Sequence, residues 1–182
     1  MPVSSHCITK KRLILSITVN TSAKMVQFGG KSYPCRIGRK GAISQALGRE
    51  GDEKTPLGDY ALRFGLYRAD LLPKPISDLT FRPLREDDGW CDDSDDAAYN
   101  RLIRLPYKAS HEKLWRGDCA YDIIIVIDHN DSPPEPGLGS AVFLHVAQTD
   151  DRQTLGCVAL APEVMVALLR HIKPRMSLSI QS

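Results

Sequence analysis

The sequence predicts a mainly β fold with one helix near the C-terminus and only short helical turns in its loops. Three observations carry this. Residues 12–37 alternate apolar and polar positions and are broken by turn-forming residues, as a meander of half-buried antiparallel strands is. The most apolar run, DIIIVID within residues 121–129, is short and β-branched, which suits a central strand. Helical spacing is sustained only after Pro162, where Met165, Leu168, Leu169 and Ile172 share one face.

Taken in order, residues 1–11 read as a loose N-terminal segment, and residues 12–182 as one domain. Leu13, Leu15, Ile17 and Val19 put one side of a first strand, 12–19, into a core. Lys24 to Phe28 is the return strand, Gly29-Gly30 a hairpin turn, and Lys31 to Ile37 a third strand. Gly41 to Leu47 is ambiguous, with a helical turn as one reading. Gly48 to Tyr60 (GREGDEKTPLGDY) is a loop by composition, with a tight turn at Thr55-Pro56 and Gly58 leading into a strand, Tyr60 to Tyr67. Pro73, Pro75 and Pro83 break the next segment into loops. Tyr99 to Leu105 is a strand, and Ser110 to Trp115 (SHEKLW) a capped helical turn. Asp131 to Gly139 is a surface loop rich in Pro and Gly. Ser140 to Ala147, Cys157 to Ala161 and Met176 to Ile180 complete the strands, and Pro174 stops the helix.

Composition excludes several classes. In a chain of 182 residues, 42% hydrophobic and 25% charged residues are ordinary for a globular domain, and a net charge of +2 selects no partner. The charge is unevenly spread. Residues 1–49 hold nine Lys or Arg and no acid, whereas residues 85–96 hold seven acids. Both read first as solvated surface; the basic part would also attract a substrate bearing carboxylates. Aromatic residues do not interleave with the basic ones, so no nucleic-acid partner is expected. The five cysteines, at 7, 35, 91, 119 and 157, are odd in number and lack a CxxC pair, against both a disulfide framework and a zinc site. No stretch is long enough to span a membrane. The run Leu13 to Val19 is too short and too alternating for an export signal, so a cytoplasmic location is expected, with the periplasm as the alternative.

The chemistry gathers between Val142 and Leu160. His145 ends one apolar run and Cys157 opens another, with Gly156 before it and a polar, hairpin-like loop, Gln148 to Thr154, between them. Two strands joined this way bring an imidazole and a thiol together. Only a thiolate attacks a carbonyl well, and a neighbouring imidazole can take the thiol's proton. A glycine beside the nucleophile lets a substrate approach the backbone, whose N–H groups can hold an oxyanion. A buried structural cysteine and a hydrogen-bonded core histidine are the plainer alternative for each residue taken singly.

These blocks resemble a known family. Thr154 to Val158 (TLGCV), a histidine upstream on a strand, and the GDEKTPLGDY loop before a strand are similar to the YkuD-type L,D-transpeptidase domain, and the order of the blocks agrees from Leu13 onward. The resemblance implies a β-sandwich or barrel-like sheet with a helix near the active site. It implies acyl transfer at the L,D-peptide bond of peptidoglycan stem tetrapeptides, with release of the terminal D-amino acid. An amine acceptor would give a cross-link and water a carboxypeptidase. By position, Cys157 would be the nucleophile, His145 its base, the Val146 carbonyl the group orienting the ring, and Gly156 with Cys157 the oxyanion hole. Thr154 matches the Ser/Thr of the motif. The partners implied are stem peptides or muropeptides, with no cofactor and no metal, on a monomer; a covalent adduct on Cys157 from a stem peptide or a carbapenem is expected. Three positions depart from the pattern: Leu155 replaces a common His, Ala159 a common Arg or Asn, and His145-Val146-Ala147 the common His-Gly-Thr.

Arg152 and Tyr121 are further candidates, for a substrate carboxylate and for a hydrogen bond in the cleft; a solvated loop charge and edge packing are their plainer roles. Other readings fare less well. A papain-like protease has its cysteine before its histidine in the chain. A metal hydrolase built on His111, His129 and His145 lacks ligand spacing. The remaining alternative is a non-catalytic peptide- or glycan-binding β domain on a decayed enzyme scaffold.

Overall fold

The computed structural model describes residues 16–182. The start of the first strand expected at 12–19 and the loose segment 1–11 lie outside the described residues. The strands in chain order are β1 (Ile17–Asn20), β2 (Met25–Phe28), β3 (Lys31–Arg36), β4 (Ala42–Ser44), β5 (Thr55–Tyr67), β6 (Phe81–Pro83) and β7 (Asp88–Cys91). They continue with β8 (Leu102–Arg104), β9 (His111–Lys113), β10 (Ile123–Ile127), β11 (Phe143–Val146) and β12 (Val158–Leu160). Helix α1 (Pro162–His171) and β13 (Ser177–Gln181) end the chain.

The fold is mainly β, with α1 near its end. β1, β2 and β3 form the expected antiparallel meander. From there the sheet runs through β12, β11 and β10 on one side and β13 and β5 on the other. β5 closes it. Its residues 58–61 pair with β13, and residues 62–67 pair with β10. One long strand thus serves both edges and makes the sheet barrel-like, which removes edges that would otherwise seek other chains. Ile17, Val19, Val26, Leu144, Val158, Leu160 and the apolar face of α1 fill the inside. A second sheet, ordered β8–β7–β9, packs outside. Trp90 and Leu114 there meet Ile124, Val126, Phe143 and Cys157 across a second core. β10 lies between the two cores, so all five of its residues are buried and it reads as one apolar run.

Three expectations are corrected and one open reading is resolved. Ser110 to Trp115 is not helical: His111–Lys113 is a strand paired with β7, because tertiary pairing outweighs weak helical spacing in so short a segment. Gly41 to Leu47 is strand β4 followed by a single 3-10 turn, Gln45–Leu47. Thr55 to Gly58 is not a turn but the start of β5, paired in parallel with β4; Pro56 is tolerated because β5 has β4 on one side only until β13 joins at Gly58. The acidic stretch is not all solvated, since Asp88 is fully buried. Its carboxylate accepts from the guanidinium groups of Arg82 and Arg104 and from the Arg85 backbone N–H.

Candidate active site

β11 and β12 are neighbours in the sheet, and they run parallel, with Leu144 opposite Val158 and His145 opposite Ala159. The hairpin-like join expected between them is therefore a crossover. β12 uses its other edge for β3, so the chain must return before entering β12. Arg36 of β3 holds that return: its guanidinium donates to the carbonyls of Gln148 at 3.1 Å, Asp150, and Arg152 at 3.3 Å. Strand alternation then sorts the side chains. Leu144, Val146, Val158 and Leu160 point into the barrel. Phe143 and Cys157 belong to the second core, and His145 shares their side. Thiol and imidazole therefore face one cleft of about 710 Å³, with Glu112, Tyr121, Thr154 and Gly156 among its walls.

The His145 ring is buried and fixed. Its Nδ1 lies 2.7 Å from the Val146 carbonyl and 3.0 Å from the Ala120 carbonyl. Two acceptors on Nδ1 require the hydrogen there, which leaves Nε2 as the basic nitrogen. Burial pushes the ring's pKa down to about 4, against the two carbonyls, which favour the charged form.

Cys157 is 8% exposed, and its sulfur accepts from the Phe143 N–H at 3.3 Å and donates to the Ala141 carbonyl at 3.2 Å. Neither partner is the imidazole. Burial, helped by the nearby Glu112 carboxylate, pushes the thiol up to about 12, and the Phe143 N–H opposes this. The resting pair is thus neutral thiol and neutral imidazole. Ala141 reaches the sulfur through a left-handed backbone, φ 51°, a conformation that costs a non-glycine residue about 1 kcal/mol or more. Its N–H donates to Asn100 Oδ1 at 3.2 Å, and the same oxygen accepts from Trp90 Nε1 at 2.8 Å. Trp90 itself packs edge-on against Phe143.

The turn before Cys157 is tied by hydroxyls. Thr154 Oγ1 accepts from the Gly156 N–H at 3.2 Å and donates to the Cys157 carbonyl at 2.7 Å. Thr55, with no exposed surface, donates to that same carbonyl at 3.5 Å and accepts from the Gly38 N–H at 2.8 Å. Gly156 is needed here: its φ is +146°, and a Cβ would sit 3.1 Å from the Lys54 carbonyl oxygen.

The remaining candidates are dispersed in role. Tyr121 is buried; its hydroxyl donates to Glu112 Oε1 at 2.6 Å, and its ring stands perpendicular to the His145 ring, centroids 5.2 Å apart. Arg152 lies on the cleft rim, its side chain 69% exposed and paired with Asp150 at 2.6 Å. Leu155 is exposed at the cleft wall, and Ala159 is buried beside His145. Among the described residues, no three His, Cys, Asp or Glu are grouped to hold a metal ion, and no helix is long and apolar enough to cross a membrane. Sequence reasoning missed Thr55, Asn100, Glu112 and the carbonyls of Ala120 and Ala141. Of these, Thr55 carries a signal as part of the GDEKTPLGDY block and Asn100 as part of the Tyr99-Asn100 pair, which also resembles the family.

The model of the YkuD family, the L,D-transpeptidase catalytic domain, matches residues 15–180. A search of curated proteins gives no match. Two solved structures are similar. The structure of Bdellovibrio bacteriovorus Bd1075 has 16% identity and a TM-score of 0.47, with 91% of this chain and 46% of that chain covered. The crystal structure of Mycobacterium tuberculosis L,D-transpeptidase 1 has 12% identity and a TM-score of 0.42, with 92% and 62% covered. The chain therefore spans less than two thirds of the length of either. With nearly all of its described residues inside the family match, the chain belongs to the YkuD family of L,D-transpeptidase catalytic domains.

Proposed function

We propose that the protein is a cysteine-dependent acyltransferase acting on the L,D-peptide bond of peptidoglycan stem tetrapeptides. The observation that carries this is the pair His145 and Cys157 on one face of adjacent parallel strands, in one cleft, with Nδ1 held by two carbonyls so that Nε2 is the base. The S–H leaves the Ala141 carbonyl and gives its proton to Nε2. Sulfur attacks the carbonyl carbon of the L-centre. The N–H groups of Gly156 and Cys157 receive the oxyanion, Gly156 giving up its bond to Thr154. The C–N bond then breaks, the imidazolium protonates the departing D-amino acid, and a thioester remains. An acceptor amine or water takes the acyl group and restores the thiol.

Basic residues on the rim suit a substrate with carboxylates. Arg36 holds the crossover and Arg39 pairs with Glu53, while Arg152, 69% exposed, pairs with Asp150 within its own loop. The acceptor separates two uses. A cytoplasmic protein would meet recycled muropeptides and use water; a periplasmic one would form cross-links. Mass spectrometry of protein incubated with a stem tetrapeptide tests the proposal. Tripeptide alone means an L,D-carboxypeptidase and a dimer a transpeptidase. Unchanged tetrapeptide, with no adduct on Cys157, would sink the acyl-transfer reading.

A further inference from the structure

Glu112 is an acid in an unexpected place. Within β9 it lies opposite Trp90 of β7, which turns it toward the second core and the cleft. Tyr121, buried just before β10, donates its hydroxyl hydrogen to Glu112 Oε1 at 2.6 Å, a short, charge-assisted bond. The tyrosine ring is boxed on its other sides. It stands perpendicular to the His145 ring, centroids 5.2 Å apart at 87°, and to the Phe143 ring, 6.1 Å apart at 83°. The Arg116 guanidinium carbon lies 5.3 Å from its centroid, and Arg116 Nη1 is 3.5 Å from Glu112 Oε1. Phe143 is also the residue whose N–H reaches the Cys157 sulfur. A phenylalanine would fill this space equally well. What the hydroxyl adds is a fixed ring orientation, and the carboxylate supplies the fixed point.

We infer that Glu112 is a positioning residue: through the Tyr121 hydroxyl it locks the ring that packs perpendicular to the His145 imidazole and so holds its plane. The inference rests on the acyl-transfer reading for its kinetic consequence, not for its geometry. The groups facing Glu112 are Asp92 beyond the end of β7, Arg116, Asp118 and Tyr121 from the segment before β10, and Cys157 across the cleft. Burial and the two aspartates raise its carboxyl, while Tyr121 and Arg116 lower it.

The test compares wild type, Glu112→Gln, Glu112→Ala and Tyr121→Phe. Single-turnover acylation of Cys157 by a stem tetrapeptide or a carbapenem is followed by intact mass, and the His145 ring 1H–15N signals by NMR. Glu112→Ala and Tyr121→Phe are expected to slow acylation about tenfold to a hundredfold and to shift the ring signals. Glu112→Gln keeps an oxygen acceptor for Tyr121, so its rate and ring signals stay close to wild type. Losing a negative charge near the sulfur, it should also move the alkaline limb of the pH profile to lower pH. Ring signals unmoved in a folded Tyr121→Phe, or Glu112→Gln as slow as Glu112→Ala, would overturn the inference. A wild type that is never acylated would overturn the acyl-transfer reading instead, and the ring signals would still decide the role of Glu112.

Discussion

Thr154 and Cys157 are joined by a hydrogen bond of 2.7 Å from the threonine hydroxyl to the cysteine carbonyl. The same hydroxyl oxygen accepts from the Gly156 N–H. One side chain thus ties the Leu155–Gly156 peptide unit to the Cys157–Val158 unit, on either side of the Cys157 N–H. Thr154→Val keeps the volume and removes both bonds. The loss to stability should be about 1 kcal/mol. The loss to kcat/KM should be greater, roughly tenfold or more, because the oxyanion donors are no longer held in register. Thr154→Ser should stay within a few-fold of wild type. Tetrapeptide turnover with a urea titration of each variant checks this; full activity in Thr154→Val would remove the residue from the machinery.

The resting protonation states fix the pH dependence. His145 can act as base only when neutral, and burial holds its pKa at about 4. Cys157 keeps its proton until about 12. The kcat/KM profile for the free protein should therefore fall on the acid side near pH 4, within about one unit, and not near the 6.5 of an ordinary histidine. It should be flat through neutrality. The same burial makes Cys157 a poor target for general thiol reagents. Among the described cysteines, iodoacetamide should label the exposed Cys119 before Cys157. An acid limb at 6 to 7, or preferred alkylation of Cys157, would mean that the pair rests as an ion pair.

Much of this was legible in the sequence, and the exceptions share a physical cause. The meander β1–β3, the central strand β10 and helix α1 carry their own periodicity, so their burial is written locally. His145, Gly156 and Cys157 stand out in the sequence because histidine and cysteine are rare residue types, and the structure brings all three to one cleft. Pairing direction is not local. Nothing between Ala147 and Cys157 says that β11 and β12 run parallel; that comes from β3 occupying the far edge of β12 and from Arg36 holding the crossover. β9 is three polar or half-buried residues whose only reason to be a strand is β7. Glu112 was hidden for the same reason, because its neighbours Tyr121 and Trp90 are distant in the chain. Asp88 looked like one acid in a solvated run, and its partners Arg82 and Arg104 are what bury it.

Acid should destabilise the fold through its buried imidazoles. His145 is depressed to about 4 by burial, and His129 is lowered for the same reason. The unfolded chain, with histidine near 6.5, takes up the proton first as pH falls. The stabilisation is complete above about pH 6.5 and is lost as pH drops toward 4. For His145 the loss is up to about 1.4 kcal/mol per unit and about 3 kcal/mol in all. Urea titrations at pH 7, 6 and 5 should show this slope, and His145→Gln should flatten it without abolishing it, because His129 remains. Equal slopes in both proteins would mean that His145 is solvated enough to titrate normally.

The second sheet should depend on Asp88. Its carboxylate is fully buried between Arg82, at 2.9 Å, and Arg104, at 2.7 Å, and it also accepts from the Arg85 N–H at 2.8 Å. Asp88→Ala removes the one negative charge on which both arginines converge and leaves the half-buried Arg85 N–H without its acceptor. The two arginines left behind are 35% and 49% exposed and can turn to water, so a loss of about 1–3 kcal/mol is expected. Asp88→Asn keeps an oxygen for the Arg85 N–H but not the charge, and should cost less. The damage should spread to the site, because β7 carries Trp90, whose indole holds Asn100, whose amide oxygen in turn holds Ala141 at the sulfur. Asp88→Asn should therefore slow acylation of Cys157 even at temperatures where it is fully folded. Normal acylation in a measurably destabilised Asp88→Asn would show that the second sheet supports the barrel without shaping its cleft.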